Sequence, residues 1–246
     1  MVLGQCRLCL ESDRALLRSH ILPEAFYRGA LKGKKAFPIY SSGSRDPISV
    51  NHQKGLRERL LCKDCESRFS RWETYGLGLM WNRTPADGIE RSAYVEYRVE
   101  YDKLKLFHLS LLWRMAVAQH DIFSNVWLGP KHEARLRTML VAGDPGPAYA
   151  YPCLLAAIAE PAAPISALMI LPVKRRTTSG HHNYDLFARG FLWQFIVSGH
   201  AHSIPQDELP LSENGIMRVY KKGTIPAVRY MTAIEAVAKR KSRAVR

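Results

Sequence analysis

The sequence predicts an α+β protein in two parts, a cysteine-stapled module over about residues 1–85 and a larger region, 86–246, of antiparallel sheet with three helices. Three observations predict it. Two Cys-x-x-Cys pairs, Cys6/Cys9 and Cys62/Cys65, bracket the first part. Apolar residues alternate with polar ones at Val95, Tyr97, Val99 and Tyr101, the period of a half-buried strand. From Leu104 the period lengthens to that of a helix, and short turn-bounded apolar runs follow.

A Cys-x-x-Cys pair in a tight turn offers two thiolates to one ion, and two such pairs complete a tetrahedral zinc site. Cys6, Cys9, Cys62 and Cys65 are therefore expected to hold one structural Zn2+; the other reading is two unrelated pairs of buried cysteines, with Cys153 the only further cysteine. Four thiolates leave the ion no open position, so its role is to staple. The start Met-Val-Leu-Gly-Gln-Cys-Arg lacks the pattern of a signal peptide. A reducing cytoplasm is expected, where paired cysteines mean metal more readily than disulfide.

Between the pairs, Gly29 to Gly55 is rich in Gly, Ser, Lys and Pro and reads as loops around at most short strands. A helix is expected over Glu66 to Glu73, with no breaker before Gly76. In the second part, Leu104, Phe107, Leu111, Leu112, Met115 and Ala118 form one core-facing stripe of a helix over 104–119. A second helix is expected from Lys131 to Ala142, after the Gly-Pro signal and before a turn at 143–147. Four apolar runs follow, Tyr151 to Ala159, Ile165 to Leu171, Leu186 to Ser198 and Ile216 to Tyr220, whose short connections favour antiparallel pairing. Thr232-x-x-Glu235 has the form of a capping box opening a third helix.

The chain has 246 residues and a net charge of +14, distributed as +5 over residues 1–90, +1 over 91–172 and +8 over 173–246. Basic ends of this kind attract phosphate backbones, although a merely solvated surface has the same composition. No stretch approaches the ~20 apolar residues of a membrane span. Candidate phosphate contacts are Lys32, Lys34 and Lys35 between the cysteine pairs, Lys174, Arg175 and Arg176 at the end of an expected strand, and Lys239, Arg240 and Lys241 near the C-terminus. His181-His182 and His200-x-His202 read as turn or surface histidines rather than a second metal site, and the five tryptophans as core rather than base-stacking platforms.

Ser19-His20-Ile21-Leu22-Pro23, taken with Leu60-Leu61-Cys62-Lys63-Asp64-Cys65-Glu66, resembles the zinc-bearing branch of the HNH endonucleases over about residues 6–75. Residues 19–28 and 61–73 are also similar to uncharacterised bacterial HNH-like proteins, a match that Leu106 to Arg114 extends. The resemblance implies a ββα-metal module on a treble-clef-like scaffold that hydrolyses DNA phosphodiester bonds. It implies His20 as general base and a catalytic Mg2+ or Mn2+ beside it. Glu66 is the expected ligand of that ion, since hard divalent cations prefer carboxylate oxygen. The sequence departs from the family pattern at three places. Ser19 stands where an Asp or another ligand is usual, Glu66 where a His is common, and Arg57, Glu58 and Arg59 where an Asn orients the base. Glu73, two helical turns or about 10 Å beyond Glu66, is too distant to share one ion and reads as a solvated residue paired with Arg68, Arg71 or Lys63.

Two functions from different classes follow. One is a metal-dependent HNH-like endonuclease acting on DNA more readily than RNA, with a phage-defence or toxin-type role resting on analogy alone. The alternative is a non-catalytic zinc module that binds nucleic acid or a protein partner, which the departures at Ser19 and Glu66 favour.

Overall fold

The computed structural model of the chain describes residues 2–27, 36–39, 48–51, 56–82, 88–157, 169–176, 180–201 and 209–221. Lys32, Lys34, Lys35, His202, the boundary expected near residue 85, and the expected C-terminal helix with Lys239, Arg240 and Lys241 lie outside the described residues.

The first part is built on three antiparallel strands, β1 (Leu3–Gly4), β2 (Arg14–His20) and β5 (Arg57–Cys62), with β2 in the middle. A separate ladder pairs β3 (Ala36–Ile39) with β4 (Ile48–Asn51) inside the segment expected to hold at most short strands. Helix α1 (Lys63–Asn82) leaves β5 without a connecting residue, and it packs back on both β2 and β5. It does not stop at Gly76. That glycine lies where the helix crosses α2 (Tyr101–Val117), and a Cβ there would overlap the Phe107 ring. Here glycine permits close helix packing rather than ending the helix.

The second part is a seven-stranded sheet. Its order is β6 (Ile89–Glu90), β7 (Tyr94–Arg98), β12 (Ile216–Tyr220), β8 (Cys153–Ala157), β11 (Phe191–Val197), β10 (His182–Ala188), β9 (Met169–Arg176). All pairings are antiparallel except β12 with β8, which run parallel at Val219↔Leu155 and Tyr220↔Ala156, so the expected antiparallel sheet is mixed. The run from Leu186 to Ser198, read as one segment, is two strands folded at Arg189-Gly190. Both turn residues have positive φ, 56° and 82°, the requirement of the two-residue turn that matches the twist of paired strands.

Helix α2 was expected to bury one stripe but is buried on nearly every side, with Lys105, His108, Ser110 and Arg114 enclosed along with the apolar residues. It lies between α1 and α3 (Pro130–Ala142), and its apolar residues belong to a core cluster that runs from Cys6 and Leu8 to Val219. The buried polar residues therefore need internal partners. The Lys105 ammonium donates to the carbonyl oxygens of Ala148, Ala150 and Tyr151. Helix α3 begins after Gly129 and ends at Gly143, whose φ of 68° supplies the left-handed cap expected of a glycine there.

No helix among the described residues is long and apolar enough to cross a membrane.

Candidate functional site

Cys6 and Cys9 sit in a turn after β1, closed by Leu10 N–H donating to Cys6 O at 2.9 Å. Cys62 ends β5 and Cys65 lies in the first turn of α1. The 52 residues between the pairs are spanned by the β2–β5 ladder, whose register sets Leu16 opposite Cys62, and by Arg7 N–H donating to Leu60 O. Strand pairing thus brings the two halves together. The four Sγ atoms lie within 4.8 Å of one another, with Cys9 Sγ 4.0 Å from Cys62 Sγ. A tetrahedral ion with ~2.3 Å bonds to sulfur needs sulfurs ~3.8 Å apart, so the cluster fits with small adjustment.

All four cysteines are free thiols, and Cys6, Cys62 and Cys65 are buried. The Cys62 N–H points at Cys6 Sγ at 3.4 Å. The neighbouring Cys65 thiol and such backbone donors pull the Cys6 thiol down to about 4, while Cys6, then burial, push Cys65 up. The shifts favour a single thiolate, on Cys6, while Cys9 and Cys65 are pushed up, and a bound cation would stabilise the further thiolates. It is a four-cysteine site able to coordinate a metal ion, and its all-sulfur donor set suits zinc.

A second constellation lies at the other end of β2. His20 ends that strand and is the direct cross-strand partner of Arg57. Arg57 Nε donates to His20 Nε2 at 2.7 Å, and its guanidinium also meets Glu24 at 3.5 Å. From α2, Arg114 donates to the backbone oxygen of His20 at 2.7 Å and forms an ion pair with Glu73 of α1. The Arg114 side chain is 2% exposed and that of Glu73 19%, so Glu73 is not the solvated residue the sequence suggested. Its partner is Arg114, not Arg68, Arg71 or Lys63. The Arg114 guanidinium also lies 5.4 Å from the Phe69 ring centroid.

Burial, then the Arg57 charge, lower the His20 pKa below its ordinary value; Glu73 and Glu24 oppose this. An imidazole accepting through Nε2 is neutral and carries its proton on Nδ1. Glu66 is held neutral to higher pH than an ordinary carboxylate by burial, against the pull of Ser19 and Arg114. Ser19 is fully buried, and among the described residues neither Ser19 Oγ nor Glu66 Oε2 finds a hydrogen bond of ordinary geometry. The structure thus gathers His20, Glu66 and Glu73 around Arg57 and Arg114. The sequence reading missed the role of both arginines. Arg57 had a usable signal in its place opposite His20 once the strands are paired, whereas Arg114 had only its mid-helix position in an apolar run and its place at the end of the stretch Leu106 to Arg114 that extends the HNH-like match.

Comparison with protein-family models, with curated proteins and with solved structures finds no match.

The basic cluster on β9 divides. Arg175 turns inward to Asp185, 3.0 Å away, which also accepts from Asn183 and Gln194. Lys174 and Arg176 remain exposed. The His181 and His200 rings stack at 6.4 Å, but among the described residues only the four cysteines gather as a group of three or more candidate metal ligands. Trp72, Trp113 and Trp193 are core residues as expected, whereas Trp127 is 66% exposed.

Proposed function

We propose that this protein is a non-catalytic, zinc-stapled module of about residues 1–85, joined to a sheet-and-helix region, 86–246, and that it binds nucleic acid, DNA in the first instance. One observation carries the non-catalytic half: the lone pair His20 would use as a base is taken by Arg57 Nε at 2.7 Å. Glu73 is likewise neutralised by Arg114. A general base must reach the proton it abstracts. In this arrangement both groups serve the packing of β2, β5, α1 and α2. The net charge of +14, concentrated towards the ends of the chain, supports a polyanionic partner.

A second reading, the HNH-like endonuclease, is favoured by Ser19 Oγ and Glu66 Oε2, buried oxygens without a hydrogen bond of ordinary geometry among the described residues. Carboxylate and hydroxyl oxygens suit Mg2+ or Mn2+, and Glu66 with Ser19 would hold such an ion.

The two readings separate in one experiment on the purified protein. DNA and RNA oligonucleotides are titrated by fluorescence anisotropy across a salt series, and the same mixtures are incubated with Mg2+ or Mn2+ and resolved on gels. Binding whose affinity falls steeply with salt, a log-log slope of roughly 0.9 for each phosphate contacted, is expected with no cleavage. Metal-dependent cleavage abolished by His20→Ala establishes the endonuclease instead, and absence of binding at low salt leaves a protein partner as the target.

A further inference from the structure

Trp127 lies in the segment joining α2 to α3, and it departs from the other described tryptophans. Trp72, Trp113 and Trp193 are 8% exposed or less, Trp127 66%. The exposure is imposed by its neighbours. Val126 and Leu128 on either side are buried, at 4% and 6%, so the chain directs the residue between them outward. The buried Tyr184 hydroxyl then fixes the backbone, accepting from Trp127 N–H at 3.0 Å and donating to Trp127 O at 2.6 Å. A large apolar ring in water forgoes the stabilisation its burial would bring, and here it is displayed on an anchored mount.

Positive charge lies over the ring. Lys174 Nζ lies 5.9 Å from the indole centroid. Lys174 and Arg176 are alternate residues of β9, an edge strand of the seven-stranded sheet, and so share one face. They stand opposite Tyr184 and His182 of β10, and the charges of both act on His182. The nearby acidic group Asp185 is 2% exposed and paired with Arg175, so it is withdrawn from this face. An exposed ring beside exposed cations matches the two features of a nucleotide with an unpaired base: a π face to stack on and a phosphate one lysine length away.

Resting on the nucleic-acid reading above, we propose that Trp127 is a stacking platform for an unpaired base of single-stranded DNA, with Lys174 and Arg176 holding the flanking phosphates. On binding, the Lys174 ammonium leaves the ring for a phosphate and the base takes its place. Duplex DNA, whose bases are already stacked, gains nothing from the indole.

The test uses the full chain with a fluorescein-labelled twelve-residue oligothymidine and a twelve-base-pair duplex, read by anisotropy. Trp127→Ala is expected to weaken oligothymidine binding about fivefold or more, leaving duplex binding unchanged, since stacking on one aromatic ring corresponds to at least that factor. Trp127→Phe, which keeps a π face, should stay within about threefold of wild type. Oligothymidine should quench tryptophan emission in the wild type and not in Trp127→Ala, whose folding is checked by circular dichroism. Wild-type affinity in Trp127→Ala, or an equal loss on duplex, overturns the platform while leaving the nucleic-acid reading in place. A wild type that binds duplex but not oligothymidine does the same, and one that binds neither overturns both.

Discussion

Arg57 donates from Nε to His20 Nε2 at 2.7 Å, across a ladder in which the two residues are direct partners. The contact sets the tautomer of His20, and the guanidinium charge adds to burial in keeping the imidazole neutral.

Replacing Arg57 with Gln removes that charge, leaving burial and the opposing Glu73 and Glu24 carboxylates. The His20 titration is therefore expected to move towards higher pH, followed by NMR of the imidazole nitrogens. An unmoved midpoint would show that the two side chains do not meet in solution.

Arg114 joins two elements to a third from a buried position. Arg114→Met leaves the Glu73 carboxylate and the His20 carbonyl without their donor, a loss of ~3–5 kcal/mol for an uncompensated buried charge. Glu73→Gln alone should cost less, because the carbonyl bond survives. The double variant is expected to be more stable than the sum of the two single losses predicts, measured by urea unfolding.

Metal and fold are linked in the first part. The purified chain is expected to carry one zinc ion, and Cys62→Ser to release it and unfold the β1-β2-β5 sheet, since apparent binding free energies of structural zinc are on the order of 10 kcal/mol. Native mass spectrometry with far-ultraviolet circular dichroism checks both, and a metal-free wild type that stays folded removes the link.

His108 is buried in α2 against Phe107 and Trp193, with no hydrogen bond to either ring nitrogen among the described residues, and burial lowers its pKa to about 3. The unfolded value is near 6.5, so between the two the unfolded chain binds more protons. Stability is present above about pH 6.5 and is lost as pH falls towards 3. His108→Leu removes the titration and two unpartnered nitrogens. It should match or exceed wild-type stability at neutral pH and flatten the loss in acid, read from urea midpoints across pH. A wild-type acid profile unchanged in the variant assigns the effect to other groups.

Elements governed by local chemistry were legible along the chain. The strand at Tyr94–Arg98 and helix α3 follow from period and from glycines at the helix ends, properties that need only a few neighbouring residues. The cysteine pairs were legible for the same reason, because four thiols otherwise scarce in the chain have one common use. Gly76 misled because a glycine in a helix can mark an end or a crossing, and only the arrival of Phe107 decides between them.

The site divides along the same line. The sequence by itself determined the residue types at His20, Glu66 and Glu73 and the place of the two carboxylates on a helix, while the strand that carries His20 came with the structure. It did not determine what those groups bind, because their partners arrive from far away in the chain: Arg57 through strand register, Arg114 through the packing of α2 on α1. Trp127 was equally undetermined, since its apolar neighbours argue for burial and the direction of the chain between two buried residues sends it to solvent. Electrostatic pairing and exposure depend on distances in space, which sequence separation does not encode, and those the tertiary structure alone decided.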